Sequence, residues 1–293
     1  MESKQRLVTV QSGELSYEID PIMAGRVTRM TYCGQELLVD ARVNPTNWGA
    51  TYWTSPQADW GWPPVPEVDS LPYEVAALGK GWELSSQVAT IGPRVLQIKK
   101  HFRPGPHPHT IDVSYGIVNR GEQAFSMANW EIARVPPGGL TFFPTGSHEL
   151  TPIAPHAALH LEKRLGCSFF DHRQFSPGLS RKLHADGQGG FLAHATGSHL
   201  ILKMFADTTF EQQAPGEGEC EIFANLDGKY VEIEVQGAYV AIAPGQRHDF
   251  LVRTAVFPVS QLDLSDLEAW AQLAHKHVQT LAAPDLGAAW GPS

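Results

Sequence analysis

Glu232 and Glu234 stand two residues apart in the run YVEIEVQ, interleaved with Val231, Ile233 and Val235. Successive side chains of a strand project from opposite faces, so the two carboxylates share one face and the three aliphatics the other. Carboxylates held side by side raise each other's pKa, which suits a general acid or base. A solvated face of an edge strand would show the same alternation. Among 13 histidines, His148 in FFPTGSHEL follows an apolar run and is the first candidate for a catalytic imidazole. His172, beside Asp171 and Arg173 in FFDHRQF, is another. Either is equally a hydrogen-bonded structural residue. His107 and His109, in RPGPHPHT, share a face if that segment is extended. No cysteine or carboxylate follows them at ligand spacing, so neither a metal nor another cofactor is expected.

Lys203 interrupts the apolar run LILKMFAD, where a cation needs a polar cavity or an anionic partner. Glu232 or Glu234 is the expected partner, a substrate carboxylate or a snorkelling edge position the alternatives. Arg26 admits similar roles. The stretch Asn47–Pro64, NWGATYWTSPQADWGWPP, holds Trp48, Trp53, Trp60 and Trp62 among Gly, Pro, Ser, Thr, Asn, Gln and Asp. A buried strand would surround its aromatics with Val, Ile and Leu. Indole rings in a loop or edge setting, with amides and carboxylates beside them, suit a ligand with C–H faces and hydroxyl edges, which describes a sugar. The alternative is a tryptophan plug closing the end of a sandwich.

The elements that must position these groups read as β. Short apolar or alternating runs recur between Gly, Pro, Asn and Asp. They include Arg26–Tyr32, Gln35–Val39, Val95–Phe102, Ile111–Val118, Phe125–Ile132, Leu140–Phe143, Gly190–His194, Leu200–Phe205, Cys220–Phe223, Tyr230–Val235 and Asp249–Val256. Gly (27) and Pro (22) supply the turns these runs require. No βαβ alternation is visible, which argues against a parallel sheet. One helix is expected near the C-terminus, capped by Ser265 with Glu268 as its capping-box partner, and ended by Pro284. Leu267, Trp270, Ala274, Val278 and Leu281 form its apolar stripe, which should pack onto a sheet. The expected architecture is all-β: a large antiparallel β-sandwich over residues 1–263, with a helix and loose tail over 264–293 packed on the same domain.

Composition excludes several functions. The 293-residue chain carries a formal net charge of −9, and its 22 Lys and Arg are scattered, so nucleic acid is not an expected partner. No apolar run is long enough to span a bilayer, and the first residues lack a signal-peptide core. The three cysteines, Cys33, Cys167 and Cys220, fit a reducing compartment, so a cytoplasmic location is expected. No G-x-S-x-G, Walker or dinucleotide pattern is present.

Three segments, in order, resemble the galactose mutarotase-like, or aldose 1-epimerase-like, superfamily. The first is ELSYEIDPIMAGRVTRMTYCGQELLV, with Gly25, Arg26, Gly34, Leu37 and Leu38 at the matching places. The second is IDVSYGIVNRGEQAFSMANWEI, a strand, an Asn-centred turn and a return strand. The third is YVEIEVQGAYVAIAPGQRHDFLVRTAVFPV, an acidic strand, Pro-Gly and a closing strand. The Trp-rich stretch looks like a more specific bacterial subgroup. The resemblance implies a supersandwich and a small-molecule carbohydrate as partner, with the oligomeric state left open. It implies ring opening by a carboxylate base and an imidazole acid. Its catalytic E-T-Q resembles Glu234 to Gln236, which makes Glu234 the first choice of base and Glu232 the second. The family's Asn-His pair falls on Asn129 and Trp130, and indole cannot protonate a ring oxygen. Glu131 is then a substitute acid, or the partner of Arg134 or Arg26. The expected activity is anomer interconversion. The alternatives are sugar binding without turnover, and lyase or hydrolase chemistry by paired carboxylates. The expected catalytic set is Glu234, Glu232, His148 and Glu131, and the expected binding set is Arg26, Trp48, Trp53, Trp60, Trp62, Asn129, Trp130 and Lys203.

Overall fold

A computed structural model describes residues 7–148, 151–152, 159–174, 178, 180–260 and 262–281. Two antiparallel sheets face each other. The first contains 11 strands among the described residues. Its path runs Val8–Ser12, Leu15–Asp20, Arg26–Tyr32, Ala50–Ser55, Phe125–Val135, Val231–Gln236, Cys220–Ala224, Arg181–Ala185 and Thr151–Pro152. The second has 10 strands, with His199–Met204, Arg247–Pro258 and Thr110–Asn119 at its centre. Ile19, Ile98, Ile117, Ile222, Ile233 and Val235 fill the space between the sheets. The expected antiparallel sandwich is therefore present, and Val231, Ile233 and Val235 form the packed face as the alternation predicts.

The outer face of the second sheet is covered by the helix Leu267–Leu281. Trp270, Ala271 and Ala274 are buried there against Leu140, Phe142, Phe169 and Leu202. The cap differs from expectation. Asp266, not Ser265, accepts the Ala269 amide at 3.0 Å, while Ser265 is turned toward Asp263. Asp266 is the residue just before the first helical turn, where a carboxylate also meets the positive end of the helix dipole. Pro284 and the tail after it lie outside the described residues. Arg253 holds Asp112 through two bonds of 2.7 and 3.0 Å and also donates to the Leu281 carbonyl, which fastens the helix end to the second sheet.

Two segments depart from the strand pattern read above. Gln35–Val39 is a strand only over Gln35–Glu36. Conversely, Ala50–Ser55, inside the polar tryptophan stretch, is a strand buried along its whole length. Tyr52 points into the core between the sheets, and Trp53 packs on the opposite face under other aromatics. The strand is entered through Gly49 at φ 64°, where a Cβ would lie 2.4 Å from the Val27 carbonyl oxygen. Only glycine tolerates both conditions.

Lys203 finds a partner, but not the expected one. Its ammonium lies 2.5 Å from Glu131 Oε2 and 2.9 Å from the Ile233 carbonyl, inside the sandwich. Glu131 likewise pairs with neither Arg134 nor Arg26. Both charges are almost fully buried, so removing one strands the other in a medium that solvates it poorly. We expect Lys203→Met to cost about 3–5 kcal/mol in urea denaturation, and Lys203→Met with Glu131→Leu to recover most of that loss. A double variant no more stable than the single one would show that the pair itself, not its half-removal, sets the effect.

Candidate active site

The outward face of the first sheet gathers acids and cations from four adjacent strands. Register pairs Arg134 with Glu232, Ile132 with Glu234, and Trp130 with Gln236 across the central strands. On the other side, Glu221 opposes Glu234, and His184 opposes Glu221. Alternation then places Trp130, Arg134, Glu232, Glu234, Gln236, Glu221, Lys182 and His184 on one face. Glu232 accepts from Arg134 Nε at 2.7 Å, and Arg134 Nη1 donates to Thr51 Oγ1 at 3.0 Å. Glu234 Oε2 accepts from the Trp130 indole at 2.8 Å. Lys182 Nζ lies 2.9 Å from Glu221 Oε2 and 4.9 Å from the centre of the Trp130 ring. Gln236 Nε2 donates to Glu217 at 2.8 Å and also to Glu221 Oε1.

Glu234 and Glu221 are both wholly shielded from solvent, at 0% exposure. Burial pushes the Glu234 carboxyl up to about 7, and the neighbouring Glu232 adds to the rise, against Lys182 and Arg134. Burial likewise pushes Glu221 well above the usual carboxylate range, with Lys182 opposing and Glu234 reinforcing. The surrounding donors distinguish the two. Glu221 receives an ammonium and an amide N–H, whereas Glu234 Oε1 has no hydrogen-bond partner. Lys182 is held charged: burial alone would lower it, but Glu221 and Glu234 raise it above its ordinary value.

Beside this array lies a cavity of about 310 Å³, lined by His148, His184, Asp186, Phe210, Gln213 and Glu217, among others. Its volume falls at the lower end of small-molecule sites. His148 and Phe210 stack at a centroid distance of 3.8 Å and make an aromatic wall. Asp186 is occupied by the Ser147 amide and the Gln213 side chain, and Glu217 by Ser55, the Gln57 amide and Gln236. His184 and Glu217 join cavity to array: both line the former, His184 Nδ1 lies 3.3 Å from Glu221 Oε1, and Glu217 accepts from Gln236.

The tryptophans do not act as one group. Trp53 packs edge-on against Trp60, Trp62 and Trp130 at centroid distances of 5.8, 5.8 and 5.2 Å. Their indole donors are internal: Trp53 bonds Asp69 at 2.7 Å and Trp60 bonds the Thr54 carbonyl at 2.8 Å. Trp62 alone of the four is open to solvent, at 55% exposure. Trp48 stacks instead on Arg26, whose guanidinium donates to the Trp48 and Thr46 carbonyls and lies 3.6 Å from Asp69. Arg26 thus braces the loop.

Of the expected site residues, the structure brings Glu232, Glu234, Trp130, Trp53 and Trp60 together, with His148 on the cavity wall. It takes Asn129 and Glu131 to the opposite face of the sheet, where Lys203 reaches Glu131 from the second sheet. Asn129 is bonded to Tyr52 at 2.8 Å and to the His248 carbonyl at 3.3 Å, while Glu131 and Lys203 hold each other. The cause is alternation: Asn129 and Glu131 flank Trp130 and must face away from it. His172 is buried against Thr141, and His109 accepts the Glu14 amide. No cluster of three or more metal-ligating side chains occurs among the described residues. Nor is any helix among them long and apolar enough to cross a membrane. His184, Glu221, Lys182 and Glu217 escaped the sequence reading. The signal was present in RKLHA and CEIFA, where polar residues alternate with apolar ones as they do in VEIEV.

Solved structures with this architecture are numerous. A galactose mutarotase-like protein from Lactobacillus casei superposes with a TM-score of 0.60 at 10% identity, covering 86% of this chain and 100% of that one. A galactose mutarotase related enzyme from Lactobacillus acidophilus gives 0.56 at 9% identity, with 87% and 99% covered. A galactose mutarotase-like protein from Clostridium acetobutylicum gives 0.55 at 10% identity, with 86% and 95% covered. The fold is that of the galactose mutarotase-like proteins. No family model and no curated protein matches the sequence. At these identities the likeness concerns the mutarotase-like scaffold alone.

Glu234 shifts from an ordinary 4.5 to about 7, so over that interval the folded protein keeps a proton that the unfolded chain has released. Its stabilising contribution is complete below 4.5 and declines as pH rises to 7. Glu219, also pushed up to about 7 by burial, acts in the same direction. We expect wild type to lose stability between those limits, and Glu234→Gln to lose less, by on the order of 1–3 kcal/mol. Parallel stability–pH curves for the two proteins would contradict a raised Glu234.

Proposed function

We propose that this is a carbohydrate-active protein that holds an aldose or aldose derivative in the cavity and interconverts its anomers by acid/base ring opening. One observation carries the reading. The buried carboxyl of Glu221 lies 3.3 Å from a histidine lining a cavity of monosaccharide scale, and its register partner Glu234 has a carboxyl that burial pushes up to about 7. Ring opening needs a proton removed from the anomeric hydroxyl and another delivered to the ring oxygen. Closure after rotation of the carbonyl carbon reverses both. A set of groups that gains and loses protons around neutral pH is matched to that task. The Phe210 and His148 rings offer a flat wall for a sugar's C–H face. The mutarotase-like scaffold supports the same substrate class by analogy of fold.

A second reading, carbohydrate binding without turnover, is favoured by one feature. Trp130 stands where the resembling family has histidine, and its indole bonds Glu234 instead of facing solvent. Exchange spectroscopy of an aldose panel with purified protein separates the two. Expected is anomer exchange faster than in buffer, reduced about 10²–10⁴-fold in Glu234→Gln with the sugar still bound. Calorimetric heat without exchange selects the binding reading, and neither heat nor exchange for any aldose or sugar acid removes both.

A further inference from the structure

The cavity carries a charge that acid/base chemistry alone does not require. Its polar lining among the described residues is Asp186, Glu217, Gln213, His148 and His184, with no lysine or arginine. Neutral donors hold both acids. Asp186 accepts from the Gln213 side chain at 2.6 Å and the Ser147 amide at 2.9 Å. Glu217 accepts from the Gln57 amide at 2.6 Å, from Gln236 at 2.8 Å and from Ser55. Such bonds orient a carboxylate and leave its charge uncancelled. His148 Nδ1 stands 3.8 Å from Asp186, too far to bond it, and meets Ser147 Oγ at 3.0 Å. The cations of the array are engaged elsewhere, Lys182 with Glu221 and Arg134 with Glu232. More acid stands around the lining. Glu211 is exposed next to the wall residue Phe210. Glu219, two residues beyond Glu217, is almost wholly buried. Burial raises its carboxyl to about 7, and the charges of Asp207 and Asp186 add to the rise, against two bonds from Thr208. Two buried acceptors beside these acids have no hydrogen-bond partner: Glu219 Oε1, and Gln236 Oε1 on the side chain that holds Glu217.

We propose that the cavity selects an aldose bearing a protonated amino group, and rejects sugar phosphates and sugar acids. The substrate rests on the sugar reading; the charge preference rests on the lining. A cleft lined by one sign of charge focuses its field and concentrates ions of the other sign. A wall rich in acceptors matches a group that only donates, and an ammonium has three donors and no acceptor. The Phe210 ring, 48% exposed at this wall, attracts a cation through its π-system. Asp186 and Glu217 therefore take the ammonium, while Phe210 and His148 receive the C–H face of the ring. A phosphate or carboxylate in the same place meets two like charges and too few donors to replace its water.

Calorimetry of the whole chain with glucosamine, N-acetylglucosamine, glucose and glucose 6-phosphate tests this, because acetylation removes the charge and keeps the ring. Glucosamine should bind at least about tenfold tighter than N-acetylglucosamine or glucose. Glucose 6-phosphate should give no heat. Added salt should shrink the advantage, since it screens charges near the surface. Glu217→Gln should cut the advantage to about threefold or less. Glu211→Gln, at an exposed position that no fold contact requires, should weaken glucosamine about twofold and leave glucose unchanged. If Glu217→Gln does not fold, Glu211→Gln and the salt series decide. Glucosamine bound no tighter than glucose, tighter binding of glucose 6-phosphate, or an advantage that salt does not touch overturns the proposal and leaves the sugar reading standing. If no sugar gives heat, the sugar reading fails, and cyclohexylammonium decides the charge preference. Binding of that cation that weakens with salt upholds the preference, and its absence overturns it.

Discussion

Charge buried on one sheet face governs this molecule. Glu221, Glu232, Glu234, Arg134 and Lys182 all leave water on folding, and each needs a partner there, since an uncompensated buried ion costs several kcal/mol. Arg134 satisfies Glu232, and Lys182 satisfies Glu221. Glu234 receives no cation of its own and accepts only the Trp130 indole N–H. The carboxyl with the poorest set of partners becomes the one poised near neutrality.

The tryptophan stretch follows from the same constraint. A dry, charged face must be covered, and indoles supply large apolar area with one donor each. Trp130 uses its donor on Glu234 and its ring face on Lys182. Trp53 lies over Arg134 at 5.4 Å and carries Trp60 and Trp62 above it. Rings of this kind lower the local polarity, which strengthens every ion pair beneath them and raises the Glu234 carboxyl. The cover leaves the cavity at His148, Phe210 and His184 as the opening beside the array.

Several features of the site were readable from residue order. Glu232 and Glu234 share a face because strand geometry repeats every second residue, whatever the rest of the chain does. The same rule, applied to NWE, would have placed Asn129 and Glu131 behind the sheet, and applied to RKLHA and CEIFA would have added Lys182, His184 and Glu221. Short strands with cations or a lone carboxylate resemble solvated edges, and that disguised them. Ala50–Ser55 was hidden differently: its burial comes from aromatic neighbours, so it carries none of the aliphatic run by which a central strand is usually recognised.

Sequence alone determined the strand periods, the apolar faces, the antiparallel class and the pairing of two glutamates on one surface, because each depends on residues a few positions apart. Tertiary structure decided which strands became neighbours. Glu234 meets Trp130 across 104 positions, and Lys203 meets Glu131 across 72. Those partnerships depend on strand order and register. The pKa of Glu234, the covering role of the tryptophans and the link from Glu221 to His184 are set by burial and by what stands opposite. Only the assembled sandwich supplies either.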